Sequence, residues 1–563
     1  MKDIGRIAPL CLAALLLPWE ASAQREVRPA DFPDCDGYGA PGRTSDGMTR
    51  GASGLSAVVQ GGSGTSQLRR TELRYGSHGI DICTGLLGSD RLAAHYTVRR
   101  ANLVAARALH RLAAGETREA LADLDLAQRT LGEGDPLTAR SFQLGLRLVR
   151  AFALLQANDA AASAAESQAV LAARPYVSEL ALTAAKLQFA AARDWPTFMR
   201  NLREIARVDP NTIATLYGLA LYRGEFEEAL VLHPQIIISR PMEAEGPYMM
   251  PQRNAVIADQ IVRRAEIDGA AAYAQQALGR SEAADATLAA ARASLERSMA
   301  PPVPDFGRGR LTREQRDQHE VFLSRRPRAV AALDRWGRMV RFRRMVAEGN
   351  IAGVVANLEG AGMARNHAAL DLFEAMGRAQ PALRTEMAAA IAELREELAR
   401  QVDDALRLNI QDLASRLPEP ESVQRLPSYD AGGDRDFDAN GYVTLPRRRE
   451  GTVRLRFASA RGSISVVNEM VVLRGAELAR QGGHRGMVIV TRRAMIRSTT
   501  QYSTYGGQGP TVASGQEAEI EVAFVDPAAL PAVYRDAPWR VLDPEAVWTA
   551  LSPVYVRERQ AAR

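Results

Sequence analysis

Reactive side chains are scarce in this 563-residue chain, and their spacing limits what they can do. Beyond residue 23 only two cysteines remain, Cys35 and Cys83, both in loop-rich sequence. In an oxidising compartment such a pair is expected to form one disulfide; the alternative is two buried thiols. The bridge would close a long loop, which the chain-entropy model values at roughly 3–4 kcal/mol. It would also staple the Gly/Ser-rich stretch from Gly51 to Ser66. Of the 71 basic residues only Lys2 and Lys186 are lysine. A phosphate-binding P-loop needs a lysine directly after its glycines, and none stands there. Schiff-base chemistry needs a desolvated lysine, which leaves Lys186. It lies in the apolar helical stretch Leu182 to Phe189, where a surface lysine with its stem on apolar neighbours is expected. His78, His95, His110, His233, His319, His367 and His484 are dispersed. No HExxH, CxxC or nucleophile elbow occurs. No catalytic residue and no cofactor is therefore assigned, and a non-enzyme is expected.

One segment has the oxygen spacing of a cation loop. Asp436, Asp438 and Asn440 alternate, Gly441 follows as a sharp-turn residue, and Val443 comes two later. This resembles the first eight positions of an EF-hand calcium loop. The twelfth position is Arg447, where a bidentate carboxylate belongs, and no clear helix flanks the loop. The resemblance thus implies weak calcium binding at most, and no metal is assigned. The alternative is an Asx-rich turn leading into a strand.

The elements around these residues fall into five parts. Residues 1–23 have the layout of an export signal: Lys2 and Arg6, an apolar run from Ile7 to Pro18, and Ala21-Ser22-Ala23 as a small-x-small cleavage site before Gln24. The apolar run is too short for a retained membrane span of about 20 residues, and Cys11 stands too early to carry lipid. A periplasmic protein is expected, secreted or outer-membrane-associated forms being the alternatives. Residues 24–91 form a loop-rich region with the expected disulfide. Residues 92–417 read as helices, 418–450 as a polar linker and 451–556 as a small α+β domain. Net charge is +5, with arginines spread throughout, so no nucleic-acid partner is expected.

In the helical part, apolar residues recur at three and four, and a turn repeats. Ala114-Gly115-Glu116, Ala157-Asn158-Asp159, Arg193-Asp194-Trp195, Arg223-Gly224-Glu225-Phe226 and Glu348-Gly349-Asn350 each precede a new amphipathic run. Taken as equivalent points, Gly115, Asn158, Arg193 and Gly224 are 43, 35 and 31 residues apart. With Gly224, Glu225, Phe226 and Ala229 as the best match, and Pro210 ending a repeat, this resembles a degenerate tetratricopeptide-repeat α-solenoid. Phe198 departs from the small residue usual at its position, and Pro234 shortens one helix. The segment from Ala300 to Arg310 is Pro/Gly-rich and non-helical. The alternative is an irregular helical domain. Ala382 to Leu417 reads as one long amphipathic helix capping the stack.

After Glu450 the pattern changes. Val453, Leu455 and Phe457 alternate with arginines as a half-buried strand. Ile464 to Arg480 reads as a helix ended by Gly482-Gly483. Gly486 to Val490 reads as a strand running toward Ile496, and Glu517 to Phe524 as another. Short helices are expected near Asp526 and Asp543. Leu473 to Ala479, then Gly483, Val488-Ile489-Val490 and the Thr500 to Gly507 loop, resemble in that order a family of small proteobacterial envelope lipoproteins of unknown function. The family's lipid-bearing cysteine is missing here, and His484 stands where an aromatic is usual. That resemblance implies an envelope location. Arg474 and Glu477 should make a surface ion pair, and Tyr502 and Tyr505 could stack on a ligand or pack on their own sheet.

The expectation is a mainly α protein with a small C-terminal α+β domain, acting as a non-catalytic scaffold. A solenoid leaves a concave surface, so the partner would be another protein or a peptide. The alternatives are a structural envelope component acting through the C-terminal domain, and an enzyme on an envelope polymer with two carboxylates in a deep cleft. Oligomeric state is left open.

Overall fold

The computed structural model describes residues 27–41, 46–48, 70, 73–132, 135–237, 250–300, 312–358, 365–429, 441–502 and 508–556. The export signal, the Gly/Ser-rich stretch, Tyr505 and the loop residues Asp436, Asp438 and Asn440 lie outside these. No described helix is long and apolar enough to cross a membrane. The chain is mainly helical, with one small antiparallel sheet near its C-terminus, and divides near residue 133 into two compact units.

The first unit contains α1 (Asp31–Asp36), α2 (Ser77–Leu87), α3 (Thr97–Ala114) and α4 (Thr117–Leu131). Cys35 of α1 and Cys83 of α2 form the expected disulfide across 48 residues, inside a core with Phe32, Ile82, Leu86 and Leu103. His110 of α3 fixes the same region. The amide of Gly76 donates to its Nδ1 at 3.2 Å, so the ring proton sits on Nε2, which donates to the carbonyl of Cys35 at 3.0 Å. Burial keeps this imidazole neutral by lowering its pKa. A Cβ on Gly79 would lie 2.0 Å from the His110 ring, so only glycine fits there. Beneath α1, Arg99 pairs with Asp36 at 2.9 Å, both buried.

The second unit begins with paired helices: α5 (Pro136–Arg140), α6 (Phe142–Gln156), α7 (Ala160–Ala173), α8 (Ser178–Ala192), α9 (Trp195–Val208), α10 (Thr212–Tyr222) and α11 (Phe226–Leu232). Then come α12 (Met250–Ala277), α13 (Ser281–Ser298), α14 (Arg313–Ala347), α15 (Ile351–Leu358) and α16 (His367–Ala379). Successive members pack on each other, α6 on α7, α8 on α9, α10 on α11 and α12 on α13.

The repeated turn has one backbone cause. Gly115, Asn158, Arg193, Gly224 and Gly349 all have positive φ, and so does Gly279, which the spacing had not revealed. Asn158 and Arg193 are the non-glycine residues with this conformation among those described. At the glycines and Asn158 the following amide bonds back to the carbonyl five residues earlier, at 2.8–2.9 Å. That is the Schellman ending of a helix. Arg193 instead makes a single bond, to the carbonyl of Phe189 at 2.8 Å. Five residues after each point stands Ala120, Ser163, Phe198, Ala229, Ala284 or Val354, none more than 1% exposed. This is where the second helix of each pair meets the first: Ser163 Oγ donates to the carbonyl of Ala151, across the α6–α7 turn, at 2.8 Å. Phe198 departs in size, and its ring stacks on Phe189 at 4.6 Å.

The long helix expected from Ala382 to Leu417 is three helices: α17 (Pro381–Glu386), α18 (Ala388–Leu406) and α19 (Ile410–Arg416). Asn409 explains the second break. Its side chain accepts from the amide of Asp412 at 2.7 Å, starting a new helix where the old would have continued.

The C-terminal sheet has strand order β1-β2-β4-β3, all antiparallel. The strands are β1 (Gly441–Leu445), β2 (Thr452–Ser459), β3 (Gly486–Tyr502) and β4 (Gln508–Val525). Helix α20 (Ile464–Gln481) covers one face and is joined there by α22 (Pro544–Tyr555), which follows the short α21 (Ala532–Arg535). Leu455, Phe457, Ile520, Val522 and Ile489 pack under Val466, Val467, Met470 and Val471. The other face carries arginines opposite glutamates: Arg454 pairs with Glu519 at 2.8 Å, and Arg449 reaches Glu521. Glu517, Glu519 and Glu521 are buried, so this face is less wet than its alternation suggested. The Thr/Tyr/Gly segment, read as a loop, is flanked by ladder: Thr499 faces Val512, Thr500 faces Thr511 and Tyr502 faces Gln508. Since β2 stops at Ser459, opposite Gln516, the β3–β4 hairpin runs on alone as a two-stranded arm.

Two measurements test this packing. Replacing Cys35 and Cys83 with serine should cost roughly 3–4 kcal/mol in denaturant titration, with reductant destabilising the parent chain alike. His367 opens α16 beside Trp336, ring centroids 5.8 Å apart, and burial pushes its pKa down to about 4. The unfolded imidazole takes its proton near pH 6.5 and the folded one near 4. Stability should therefore fall by roughly 3 kcal/mol as pH drops through that window. His367→Gln should remove that share of the slope; an unchanged pH dependence would refute the assignment.

Candidate functional site

Among the described residues of the second unit, two places hold side chains whose arrangement exceeds ordinary packing. One is buried, where helices and sheet domain meet. Arg174, just past α7 and fully buried, donates through Nε and Nη2 to Glu469 Oε2 at 3.0 and 2.8 Å. Arg140 of α5 donates to the other Glu469 oxygen at 2.9 Å. The Tyr555 hydroxyl of α22 adds a bond to Glu469 at 2.5 Å. Glu421 lies on the far side of Arg174 at 3.4 Å and takes a short bond from Ser463.

The segment bearing Glu421, part of the expected linker, is held by its backbone. Thr138 donates to the Glu421 carbonyl at 3.0 Å, Ser141 accepts its amide at 3.0 Å, and Asp135 accepts the amide of Val423 at 2.9 Å. Burial opposes charge on all three central groups, and the outcome differs. Around Arg174, Glu421 and Glu469 outweigh burial and hold the guanidinium charged. Around Glu469, Arg174 and Arg140 outweigh it and lower the pKa. Around Glu421 burial wins and the pKa rises. Two carboxyls displaced in opposite directions can mark an acid–base pair, but substrate needs access. Glu469 is 0% and Glu421 6% exposed. This cluster is a bolt between α7 and α20.

The second place is on the surface, at the turn ends of α8–α9 and α10–α11. Trp195 lies 4.5 Å from Phe189 and 6.0 Å from Tyr222, centroid to centroid. The Arg223 guanidinium stands 5.5 Å over Trp195, and that of Arg193 5.6 Å over Phe189. Asp403 of α18 pairs with Arg193 at 2.5 Å, and Glu225 with Arg223 at 2.7 Å. Trp195 and Tyr222 are half-buried, both arginines exposed. Trp, Tyr and Arg are the residues that dominate binding hot spots. The αL residues Arg193 and Gly224 set this patch, since each reverses the chain beside an aromatic.

Other residues singled out by sequence fall elsewhere. Lys186 donates to the carbonyl of Ala405 at 3.0 Å, near the end of α18, and burial lowers its pKa. Arg474 and Glu477 do pair, half-buried, and Glu477 also accepts from the Tyr429 hydroxyl at 2.7 Å. Gly441, the turn glycine of the calcium-like loop, opens β1, so the loop positions that follow it to Leu445 are strand. Among the described residues, no group of three or more His, Cys, Asp or Glu could hold a metal. Sequence reasoning missed Arg174, Arg140, Glu421 and Tyr555. The available signal was Asn468-Glu469 inside the apolar run from Val466 to Val472, where an acid must find a buried partner.

Comparison of the chain with protein-family models, curated proteins and solved structures finds no match.

Removing one partner from the bolt should be costly, because the other charge stays buried. Glu469→Gln should lower stability by roughly 3–5 kcal/mol in denaturant titration. Arg174→Met with Glu469→Leu should recover much of it. A double variant no better than the single one would show that the pair's geometry, not its uncompensated charge, is decisive.

Proposed function

We propose that this protein is a periplasmic scaffold, a degenerate tetratricopeptide-like stack that holds another protein or a peptide without acting on it chemically. The observation that carries this reading is the run of helical pairs closed by the same αL turn, with a buried contact residue five positions on. Such stacks offer rigid extended surfaces. The partner contacts Trp195, which packs on the buried Phe189, and Tyr222, with Arg193 and Arg223 as the polar rim. The Cys35–Cys83 disulfide supports an oxidising compartment, as does the export layout of residues 1–23. The resemblance to envelope lipoproteins points the same way.

A second reading has its own observation. The two-stranded arm beyond Ser459 suits a structural component that meets the envelope through its C-terminal domain.

The bolt decides how to test this. Cutting the chain before the sheet domain would strand Arg174, so partners should be sought with the whole protein. Capture from a crosslinked envelope fraction, then titration of the purified chain with the recovered protein, gives an affinity. Trp195→Ala with Tyr222→Ala should weaken it about 30-fold or more, as loss of hot-spot aromatics does. Arg223→Glu, which leaves the core alone, should weaken it too. Unchanged affinity in both would remove the patch from the account; loss only on shortening the arm would favour the second reading.

A further inference from the structure

The chain lays a helix of its own beside the patch that the scaffold reading gives to a partner. After α16 the backbone turns back along the stack. Leu394 and Leu398 of α18 enter the same core as Phe189, Tyr217 and Leu221, with Val402 and Leu406 at its border. Lys186 of α8 holds the last turn of α18 through the carbonyl of Ala405, and α19 then packs on α8. A Cβ on Gly145 of α6 would meet Pro418 at 3.4 Å. The segment thus returns along α8 and α6, each the first helix of its pair. On the way Asp403 reaches the rim of the aromatic patch. It holds Arg193 at 2.5 Å, and its charge, after burial, opposes ionisation of the Tyr222 hydroxyl.

This helix is lightly held. Three of the nineteen residues of α18 are buried and none of the six of α17, against eight of the fifteen of α8. Its ion pairs to the stack join largely exposed side chains: Asp403 with Arg193, Glu393 with Arg365 at 2.8 Å, Glu397 with Arg365, and Arg395 with Glu374 at 2.8 Å. Such pairs contribute little. Extended backbone stands at either end, at Gln380 and at Arg407. Beyond Arg407 the chain is fixed again, by the buried Leu413 and Ala414 and then by the bolt. Few buried contacts between two breaks mark a segment that opens before the whole fold does.

We infer that α17 and α18 form a strap held in cis at the Trp195–Tyr222 patch, and that the partner engages by displacing it with an acidic amphipathic helix of its own. The strap itself shows what this place accepts. Leu394, Leu398 and Val402 stand four apart and face the core. In three of the four ion pairs just given the acid is on α18 and the arginine on the stack, so the surface beneath favours an acidic helix. This is recognition of a helix by its apolar stripe, with charge setting register. The partner's part in it rests on the scaffold reading; the strap does not.

The probe is a fluorescein-labelled peptide of residues 386–410, titrated into the purified whole chain by anisotropy. It competes with the strap in cis. Asp403→Arg in the chain sets like charges against each other at Arg193 and leaves the core alone. It should tighten peptide binding about fivefold. Adding Arg193→Asp should restore the pair in cis and return the affinity to that of the parent chain. Hydrogen exchange should show the amides of α18 opening faster than those of α8, and faster still in Asp403→Arg. Equal peptide affinity for the parent and Asp403→Arg chains overturns the strap, and so does α18 as well protected as α8. The peptide needs no partner, so the two readings fail separately. The protein captured as described above should also bind Asp403→Arg more tightly. If it binds both chains alike while the peptide distinguishes them, displacement by the partner is overturned and the scaffold reading stands.

Discussion

An arginine taken wholly out of water must be answered by charge, and Arg174 is answered by Glu469 and Glu421. The three residues belong to segments far apart in sequence: the end of α7, the middle of α20 and the connection between them. Desolvating these charges costs several kcal/mol per ion unless the geometry repays it. Here every party has further bonds, from Arg140, Tyr555 and Ser463. The cluster specifies placement more than it adds stability. This docking of sheet domain on helices satisfies Glu469, and the connection is bonded through the Glu421 backbone to Thr138 and Ser141 rather than left as a free tether.

Much of the fold was legible in the sequence, and the reasons are local. The αL turns showed because glycine or asparagine, followed by an acidic residue or a helix start, is a short-range signal. Arg193 showed only through its position in the series. The strands showed by alternation, and α20 by its apolar run and Gly482-Gly483 end. Gly279 was missed because α12 is a 28-residue helix, which pushes the next turn outside the expected period. The break at Asn409 was missed because a capping asparagine inside a long amphipathic run looks like one more polar residue.

The site was far less legible. The bolt depends on residues separated by up to about four hundred positions, each ordinary in its own neighbourhood. An arginine before a proline at a helix end reads as a solvated cap, and Glu421 reads as linker. Only Glu469 was locally out of place. The aromatic patch was hidden differently. Trp195 and Phe198 were visible as repeat residues, but Tyr222 reaches Trp195 only once α10 lies beside α9. Local pattern sets turns and faces, while sites made by packing faces together need the third dimension.

The disulfide has a consequence for biogenesis. Once the export segment with Cys11 is removed, as we propose, two thiols remain and one intramolecular pairing is possible. Such a chain needs an oxidant but no reshuffling enzyme, because no wrong partner exists within it. Cys35 leads and Cys83 follows by 48 residues, so on that proposal both would reach the oxidising side long before the helical stack. The proposed export would then let the first unit be locked while most of the chain was still crossing.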